Sequence, residues 1–210
     1  FSPRSAALAE RYGAPRVMAL GLAIVAVGFG VLTMLTTDTP YVVLAVAFTL
    51  LGAGMSITAA PATSEIMTSV PLSKAGVGSA VNDTTRELGG ALGIALLGSI
   101  ANTAYRSSVE LDGTQLPAGA RAAAEESIGA ASAIGDSVPG GTEVVAQAAS
   151  AFSEAFTLTN TVAVGIALAA AAAVLAFSRR RGDEGLGDEA YDLEDLADLD
   201  LAVAVGDVRE

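Results

Sequence analysis

Long stretches without a charged residue alternate with short polar segments along this chain. Four stretches stand out by their length: residues 17–37, 39–64, 88–105 and 155–178. A helix needs about 20 apolar residues to cross the hydrocarbon core of a bilayer. We therefore predict an all-α fold, a polytopic membrane bundle with four helices at about 17–36, 41–69, 79–104 and 153–178. A soluble bundle of buried helices is the alternative, but four such windows in 210 residues are typical of a membrane protein.

Charged residues fall within the predicted hairpin formed by the second and third helices. Asp83, Arg86 and Glu87 occupy the first turns of the third helix, and Glu65 lies near the end of the second. A lone charge at the centre of a membrane helix costs roughly 2.5–3.5 kcal/mol on insertion scales, so such groups are expected to have partners. Glu65 and Arg86 are equally far from the centre of the loop Pro71–Gly76. We therefore predict that they form an ion pair at one depth of the hairpin.

Polar and small residues form stripes on the same two helices. Thr58 and Glu65 are seven residues apart, which places them on one face of the second helix. Pro61 between them cannot donate a backbone hydrogen bond and is expected to kink the helix. On the third helix Asn82 and Arg86 lead into a stripe of glycines: Gly89, Gly90 and Gly93. A small-x-x-x-small spacing permits close approach of a second helix, so we interpret these glycines as packing residues.

Composition excludes several classes of function. The mean hydropathy of +0.55 fits a membrane protein. Residues 182–210 hold eleven acidic residues against one base, which accounts for most of the net charge of −12. Such an acidic balance argues against nucleic-acid binding, and we expect the tail at 179–210 to be disordered. The chain has no Cys and no His, which excludes disulfides, thiolate chemistry and a His base. We predict no catalytic residues, no metal site and no cofactor.

Basic residues are distributed unequally between the two ends of the predicted bundle. Four spans place both termini on one side, together with the loop Pro71–Gly76. That side holds most of the bases: Arg4, Arg11, Arg16, Lys74 and Arg179–Arg181. The other side holds only Arg106 and Arg121, in the long acidic loop at 105–152. Because positive charge is retained in the cytoplasm, we predict cytoplasmic termini and an extracytoplasmic loop.

The long loop has its own pattern. It is rich in Ala, Gly, Ser and Glu, and a piece near 119–131 favours a helix. Val144, Val145, Ala148 and Phe152 indicate an amphipathic lead-in to the last span. We interpret the loop as a solvated segment; a gating role is the alternative.

Residues 6–16 carry the pattern Ala6-x-Leu8-Ala9-Glu10-Arg11-Tyr12-Gly13-Ala14-Pro15-Arg16. This segment resembles the loop signature of the major facilitator superfamily, G-x-L-a-D-R-x-G-r-r, found on the cytoplasmic side between the second and third helices of each half. Leu8, Arg11, Gly13 and Arg16 match the signature, whereas Glu10 replaces an Asp. The resemblance implies that residues 1–16 are a cytoplasmic loop in which Glu10, Arg11, Gly13 and Arg16 form the motif.

A second and longer resemblance covers the hairpin. The residues that carry it are Gly52, Gly54, Pro61, Val70-Pro71, Ala75-Gly76-x-Gly78-Ser79, Asn82, Arg86 and Leu88-Gly89-Gly90-Ala91-Leu92-Gly93. They resemble the late helices of the fourteen-span drug:proton antiporter branch (EmrB/QacA type) of the same superfamily. The resemblance implies that the first span is peripheral, that the second lines the transport cavity and that the third lies between the two halves of the transporter.

The resemblance also implies a function. The chain is expected to be the C-terminal fragment of a secondary active exporter of drug-like or amphipathic compounds, driven by protons, in the plasma (inner) membrane of a bacterium. Its partners would be the lipid bilayer, the missing N-terminal helices of the same transporter, a small-molecule substrate and protons. Glu65, Arg86, Asn82 and Thr58 are the candidates for transport or gating. Glu65 is either locked to Arg86 or free to carry a proton. Export of a native metabolite or lipid, and a non-transporting membrane fragment, are the alternatives.

Overall fold

A computed structural model describes residues 8–9, 11–36, 39–111, 116–135, 137–138 and 141–206, with side chains as far as Arg179. Glu10 and Asp38 lie outside the described residues. The described part contains six α-helices: α1 (Ala14–Leu32), α2 (Tyr41–Thr68), α3 (Ala75–Ser108), α4 (Ala118–Glu126), α5 (Ile128–Gly135) and α6 (Gly141–Gly206). A 3₁₀ turn, Leu72–Lys74, joins α2 to α3. This architecture confirms the predicted all-α membrane bundle.

Four of these helices are long and apolar enough to cross a membrane: Ala14–Leu32, Tyr41–Thr68, Leu72–Ser108 and Gly141–Arg179. Each overlaps one predicted span. The largest difference is at the start of α6, which begins at Gly141, so the predicted lead-in and the last span form one continuous helix. The backbone of α6 also continues to Gly206 through the segment that the sequence predicts to be disordered.

Local sequence explains where α1 and α2 begin. Gly13 precedes α1 with φ 87°, a left-handed conformation that glycine adopts without steric cost. Pro15 then lies in the first turn, where its missing N–H is not needed. Pro40 similarly precedes α2 in an extended conformation. In the turn between the helices the Thr36 N–H donates to the Thr39 Oγ1 at 2.7 Å.

Helix α1 lies at the centre of the packing within this chain. It packs along α2 on one side and along α6 on the other, and α3 packs mainly on α6. Val25 and Ala26 of α1 form a buried cluster with Ala167 of α6, flanked by Phe29 and Leu51. In the apolar part of α1, 39% of the residues are buried, against 11% for α2 and 11% for α3. The resemblance implies a peripheral position for this helix, but within the described residues it is the one with most contacts.

Few contacts join α2 and α3 among the described residues, and they include two close to the connecting loop. Near it a Cβ on Gly78 would lie 3.4 Å from Val70, and the Thr63 Oγ1 donates to the Asn82 Oδ1 at 3.5 Å. In this register Glu65 faces residue 80, and Arg86 lies six residues beyond, roughly 9 Å at 1.5 Å per residue. The predicted equal depth of the two charges is therefore wrong. The prediction centred the loop on residues that in fact begin α3.

The long loop at 105–152 is packed, contrary to the prediction of a solvated segment. Helices α4 and α5, which we call the cap, lie against α6 and the end of α3. A hydrophobic cluster joins them, consisting of Ala104, Tyr105, Val109, Leu111, Ala124, Ala131, Val144, Ala148, Ala151 and Ala155. The Tyr105 hydroxyl donates to the Ala124 carbonyl at 2.8 Å, which ties α3 to α4. Six of the ten residues in this cluster are alanines, whose small side chains let the helices approach closely.

Candidate functional site

A cleft at the loop end of the bundle contains Glu65. Its volume is about 340 Å³, and it lies between the segment before α1 and the last turns of α2. Gly13 and Ala14 form one wall, and Pro61 and Ser64 lie beside Glu65 on α2. Pro61 is among the most deeply buried side chains. The structure therefore brings Glu65 next to the motif loop, an association that neither sequence motif predicts alone.

The bases of the motif loop contact Tyr12. The Arg11 guanidinium lies 5.6 Å from the centre of the Tyr12 ring, a cation–π distance. Arg16 Nη1 donates to the Tyr12 carbonyl at 3.3 Å. In the part of the chain that the structure describes, neither base forms an ion pair with Glu65.

Glu65 and Arg86 do not meet. Both side chains are exposed, and no ion pair joins them among the described residues. The predicted pair is therefore absent, because α3 diverges from α2 soon after the loop. Of the two roles that the sequence leaves open for Glu65, the lock to Arg86 therefore has no contact that supports it among the described residues.

Thr58 packs against α1. Its hydroxyl donates to the Gly54 carbonyl at 2.9 Å and lies 3.4 Å from the Met18 carbonyl. A Cβ on Gly54 would lie 2.6 Å from the Gly21 carbonyl, and one on Gly28 would lie 2.9 Å from Leu51. We call this contact, formed by Gly21, Gly28, Gly54 and Thr58, the α1–α2 seam. The stripe of Thr58 and Glu65 thus lies on one face of α2, as predicted, but that face is turned to α1 and the segment before it.

Sequence reasoning did not assign the glycines of the seam. The signal was present, because Gly21 and Gly28 are seven residues apart and share one face of α1. The pattern does not say which helix lies against that face. Close helix approach also requires a small residue on the partner helix, and here that residue is Gly54 of α2.

Asn82 is the buried polar residue of α3, with 7% of its side chain exposed. Its amide Nδ2 donates to the Asp83 carboxylate at 3.4 Å, and its Oδ1 accepts the hydrogen bond from Thr63. It therefore joins α3 to α2 at the base of the hairpin. The glycine stripe farther along α3 has no such contact within the described part of the chain: a Cβ on Gly89, Gly90 or Gly93 would find no described atom within 4 Å.

A larger cavity lies at the opposite end of the bundle, beneath the cap. Its volume is about 490 Å³, and the ends of α1 and α3, the start of α6 and the junction of α4 with α5 line it. Four aromatic rings contribute to its wall: Phe29, Tyr105, Phe152 and Phe156. Asn102, Thr159 and Asn160 are its main polar side chains. The size and the mostly apolar wall are typical of a site for a small organic molecule.

Comparison with known proteins identifies the family. Residues 1–108 match the Major Facilitator Superfamily. The protein named "Multidrug efflux pump LfrA" of Mycolicibacterium smegmatis (strain ATCC 700084 / mc(2)155) is 35% identical over 174 residues, which cover 81% of this chain and 34% of that protein. The chain thus spans about a third of the length of this relative. No solved structure matches the chain at a significant level. Because the family match extends over more than half of the residues, the chain belongs to the Major Facilitator Superfamily.

Proposed function

We propose that this chain supplies the last four helices of a secondary active exporter of the fourteen-span drug:proton antiporter branch. The exporter moves drug-like or amphipathic compounds out of the cell in exchange for protons. The observation that carries the proposal is the similarity to a multidrug efflux pump over 81% of the chain. That similarity covers more of the chain than the family match, which ends at residue 108.

The surfaces of α2 and α3 support the proposal that further helices of the same transporter pack here. Large apolar side chains are exposed on both helices: Val42, Val46, Phe48 and Met55 on α2, and Leu88, Leu92, Ile94 and Leu96 on α3. The glycine stripe, Gly89, Gly90 and Gly93, lies among these exposed residues of α3, and no described residue covers it. An alternating-access transporter needs two bundles that move against each other, and four helices cannot form both. We assign the glycine stripe to the contact between them.

Glu65 is the residue that we assign to proton coupling. It lies in a membrane-spanning helix, lines a cleft beside the motif loop and has no ion-pair partner among the described residues. Ionisable groups inside the membrane are costly and typically mark proton or substrate pathways. Proton binding to Glu65 would change the charge of the cleft wall next to Gly13, and thus link protonation to the motif loop.

Efflux by the full-length protein tests this proposal. In proteoliposomes loaded with a fluorescent organic cation, export is expected only with an imposed pH gradient. Glu65→Gln is expected to lower gradient-driven export by about tenfold or more, because one proton carrier is lost. Glu87→Gln, which removes a carboxylate of α3 outside both cavities, is the matched control. Equal export by Glu65→Gln and the unaltered protein would remove Glu65 from coupling, and no gradient-dependent export at all would refute the transport proposal.

The orientation is also part of the proposal. The basic residues place the loop before α1, the Pro71–Gly76 loop and the C-terminal segment in the cytoplasm. This chain has no Cys, so an introduced cysteine is its one thiol, and any cysteine elsewhere in the full-length protein is replaced by Ala before labelling. A membrane-impermeant maleimide added to intact cells is expected to label Ser137→Cys near the cap but not Ser73→Cys. The reverse labelling would invert the topology.

A further inference from the structure

The side of α1 that faces neither α2 nor α6 carries an exposed apolar stripe with a base at its start. Arg16, Leu20 and Val27 are four and seven residues apart, so they share one face of the helix. All three are exposed, Leu20 and Val27 at 56% each. Gly21 and Gly28, which contact α2, lie on a different face. Helix α1 thus presents an arginine followed by apolar side chains.

Helix α6 carries a matching stripe in the reverse order. Leu168, Leu175 and Arg179 are seven and four residues apart and therefore also share one face. All three are exposed, Leu168 at 51%. Ala167, which packs on α1, lies on the neighbouring face. In α1 the arginine comes first, whereas in α6 it comes last.

The register of the two helices places both arginines at the same end of the bundle. Ala26 lies against Ala167, whereas Phe29, farther along α1, lines a cavity with Asn160, which is earlier in α6. The helices are therefore antiparallel. From the contact of Ala26 with Ala167, Arg179 is twelve residues along α6 and Arg16 is ten residues back along α1. At 1.5 Å per residue these distances are about 18 Å and 15 Å, so the two positions differ in depth by about 3 Å.

The two stripes flank one groove between α1 and α6. At about 100° per residue, the stripe of α1 lies on the side of this helix pair away from α2. Because α6 is antiparallel, its faces follow one another in the opposite sense when seen from the same end, which brings its stripe to the same side. Between the stripes, a Cβ on Gly30 would meet no described atom within 4 Å. From Arg16 to Val27 the groove extends about 17 Å, roughly one leaflet of a 30 Å hydrocarbon core.

The guanidinium groups at the end of the groove leave donors for an anion. Arg16 Nη1 donates to the Tyr12 carbonyl at 3.3 Å, which uses one of the five N–H donors of the group. In the part of the chain that the structure describes, neither Arg16 nor Arg179 forms an ion pair. Asp183, the first acidic residue of the tail, is four residues beyond Arg179, about 6 Å farther from the apolar stripe. Positive charge therefore prevails at the level of the two arginines.

We propose that this groove binds an anionic phospholipid, with its phosphate between Arg16 and Arg179 and an acyl chain along Leu20, Leu168 and Leu175. We call these five residues the lipid groove. The planar fork of a guanidinium matches the oxygens of a phosphate, and basic pockets between spanning helices bind anionic headgroups. A protein helix packed on this face would have to bury both cations, whereas a lipid leaves them at the membrane surface.

The lipid would hold α1 to α6, which makes it a structural ligand and not a transported one. The proposal goes beyond the transport function and does not depend on it. Placement of the lipid in the cytoplasmic leaflet rests on the proposed orientation. A soluble anion could use the arginines but would leave the apolar length of the groove empty.

Native mass spectrometry of the full-length protein in detergent, titrated with dioleoylphosphatidylglycerol or dioleoylphosphatidylcholine, measures the affinity. The double variant Arg16→Gln/Arg179→Gln is expected to raise the Kd of the anionic lipid about tenfold, because charge-assisted hydrogen bonds to the phosphate are lost. The Kd of phosphatidylcholine, whose choline offsets the phosphate charge, is expected to rise by less than about threefold. Lys74→Gln, which removes a base at the same end but outside the groove, should leave both values within about twofold.

Fluorescence quenching locates the lipid without altering either arginine. This chain has no Trp, and any tryptophan elsewhere in the full-length protein is replaced by Phe. Leu175→Trp places the fluorophore in the groove, and Phe177→Trp, on another exposed face of α6, is the matched control. In an equimolar membrane of the two lipids, bromines on phosphatidylglycerol are expected to quench Leu175→Trp more strongly than bromines on phosphatidylcholine. Phe177→Trp is expected to be quenched equally by both.

Three results would overturn the lipid groove. The first is an unchanged Kd in the double variant, and the second is equal quenching of Leu175→Trp by the two lipids. The third is competition by glycerol phosphate at the concentration of the lipid, because the site would then bind a free anion. Thermal unfolding checks the fold of each variant, and the quenching measurement stands if the double variant does not fold. Absence of export alongside an intact lipid preference contradicts the transport proposal alone.

Discussion

Two glycine-bearing helix faces in this chain have opposite surroundings. In the α1–α2 seam, a Cβ on Gly54 would lie 2.6 Å from a backbone carbonyl of α1, whereas a Cβ on Gly90 of the α3 stripe would meet nothing within 4 Å. The residue type is the same, and the stripe has the spacing associated with helix packing. A small-residue pattern thus shows that a face can be approached closely, but not whether its partner lies in the same chain.

The difference extends to whole helices. Within this chain α1 has partners on two sides, while α2 and α3 leave apolar faces uncovered. An uncovered apolar face in a membrane protein is stable against lipid, so exposure here is compatible with either lipid or another helix. The glycine stripe favours another helix, because small side chains offer lipid no packing advantage and allow a helix to approach.

The largest expected effect comes from filling the seam. Gly54→Val adds a branched side chain where the Gly21 carbonyl leaves no room, and overpacking of this kind typically costs about 1–3 kcal/mol. Thermal unfolding in detergent is expected to shift downwards by several degrees. Gly52→Val, two residues earlier on the same helix and with open space around its Cβ, is the matched control. Equal destabilisation by both variants would show that the seam is not closely packed.

A smaller and different effect is expected from the stripe. Gly90→Val is expected to leave the packing of α1, α2 and α6 intact, since no described atom is near. In the full-length transporter it should obstruct a partner helix, and a cost of about 1 kcal/mol at that contact, at the lower end of the range for overpacking, would lower efflux roughly fivefold. Ala95→Val, on another face of α3, serves as the control. Unchanged efflux with Gly90→Val would indicate that the stripe faces lipid.

The smallest effect is expected at the charges of the hairpin. Arg86→Ala should change the free energy of unfolding by less than about 0.5 kcal/mol, because Arg86 is exposed and has no ion-pair partner among the described residues. Breaking a buried ion pair would cost about 3–5 kcal/mol. Denaturant unfolding in detergent distinguishes the two. A loss of that size, restored by exchanging the charges of Glu65 and Arg86, would reinstate the ion pair that the sequence predicts.

The spans were predictable because each depends on its own residues. A run of about 20 apolar residues is favourable in a bilayer wherever its neighbours lie, and Gly13, Pro15 and Pro40 set the helix starts locally. The Glu65–Arg86 pair failed because it depended on the register of two helices, which the turn at Leu72–Lys74 shifted. The cavity beneath the cap was not predicted at all, since its aromatic rings come from α1, α3 and α6.

The order of charged and apolar residues alone was sufficient for the all-α membrane bundle and its four spans, because hydropathy and backbone hydrogen bonding act within each helix. Only the tertiary structure decided that Gly54 and not Gly90 meets a helix of this chain, that Glu65 faces the motif loop and not Arg86, and that the long loop folds into a cap. These are contacts between distant segments. They depend on helix register and on close approach of a few ångströms, which a one-dimensional pattern does not contain.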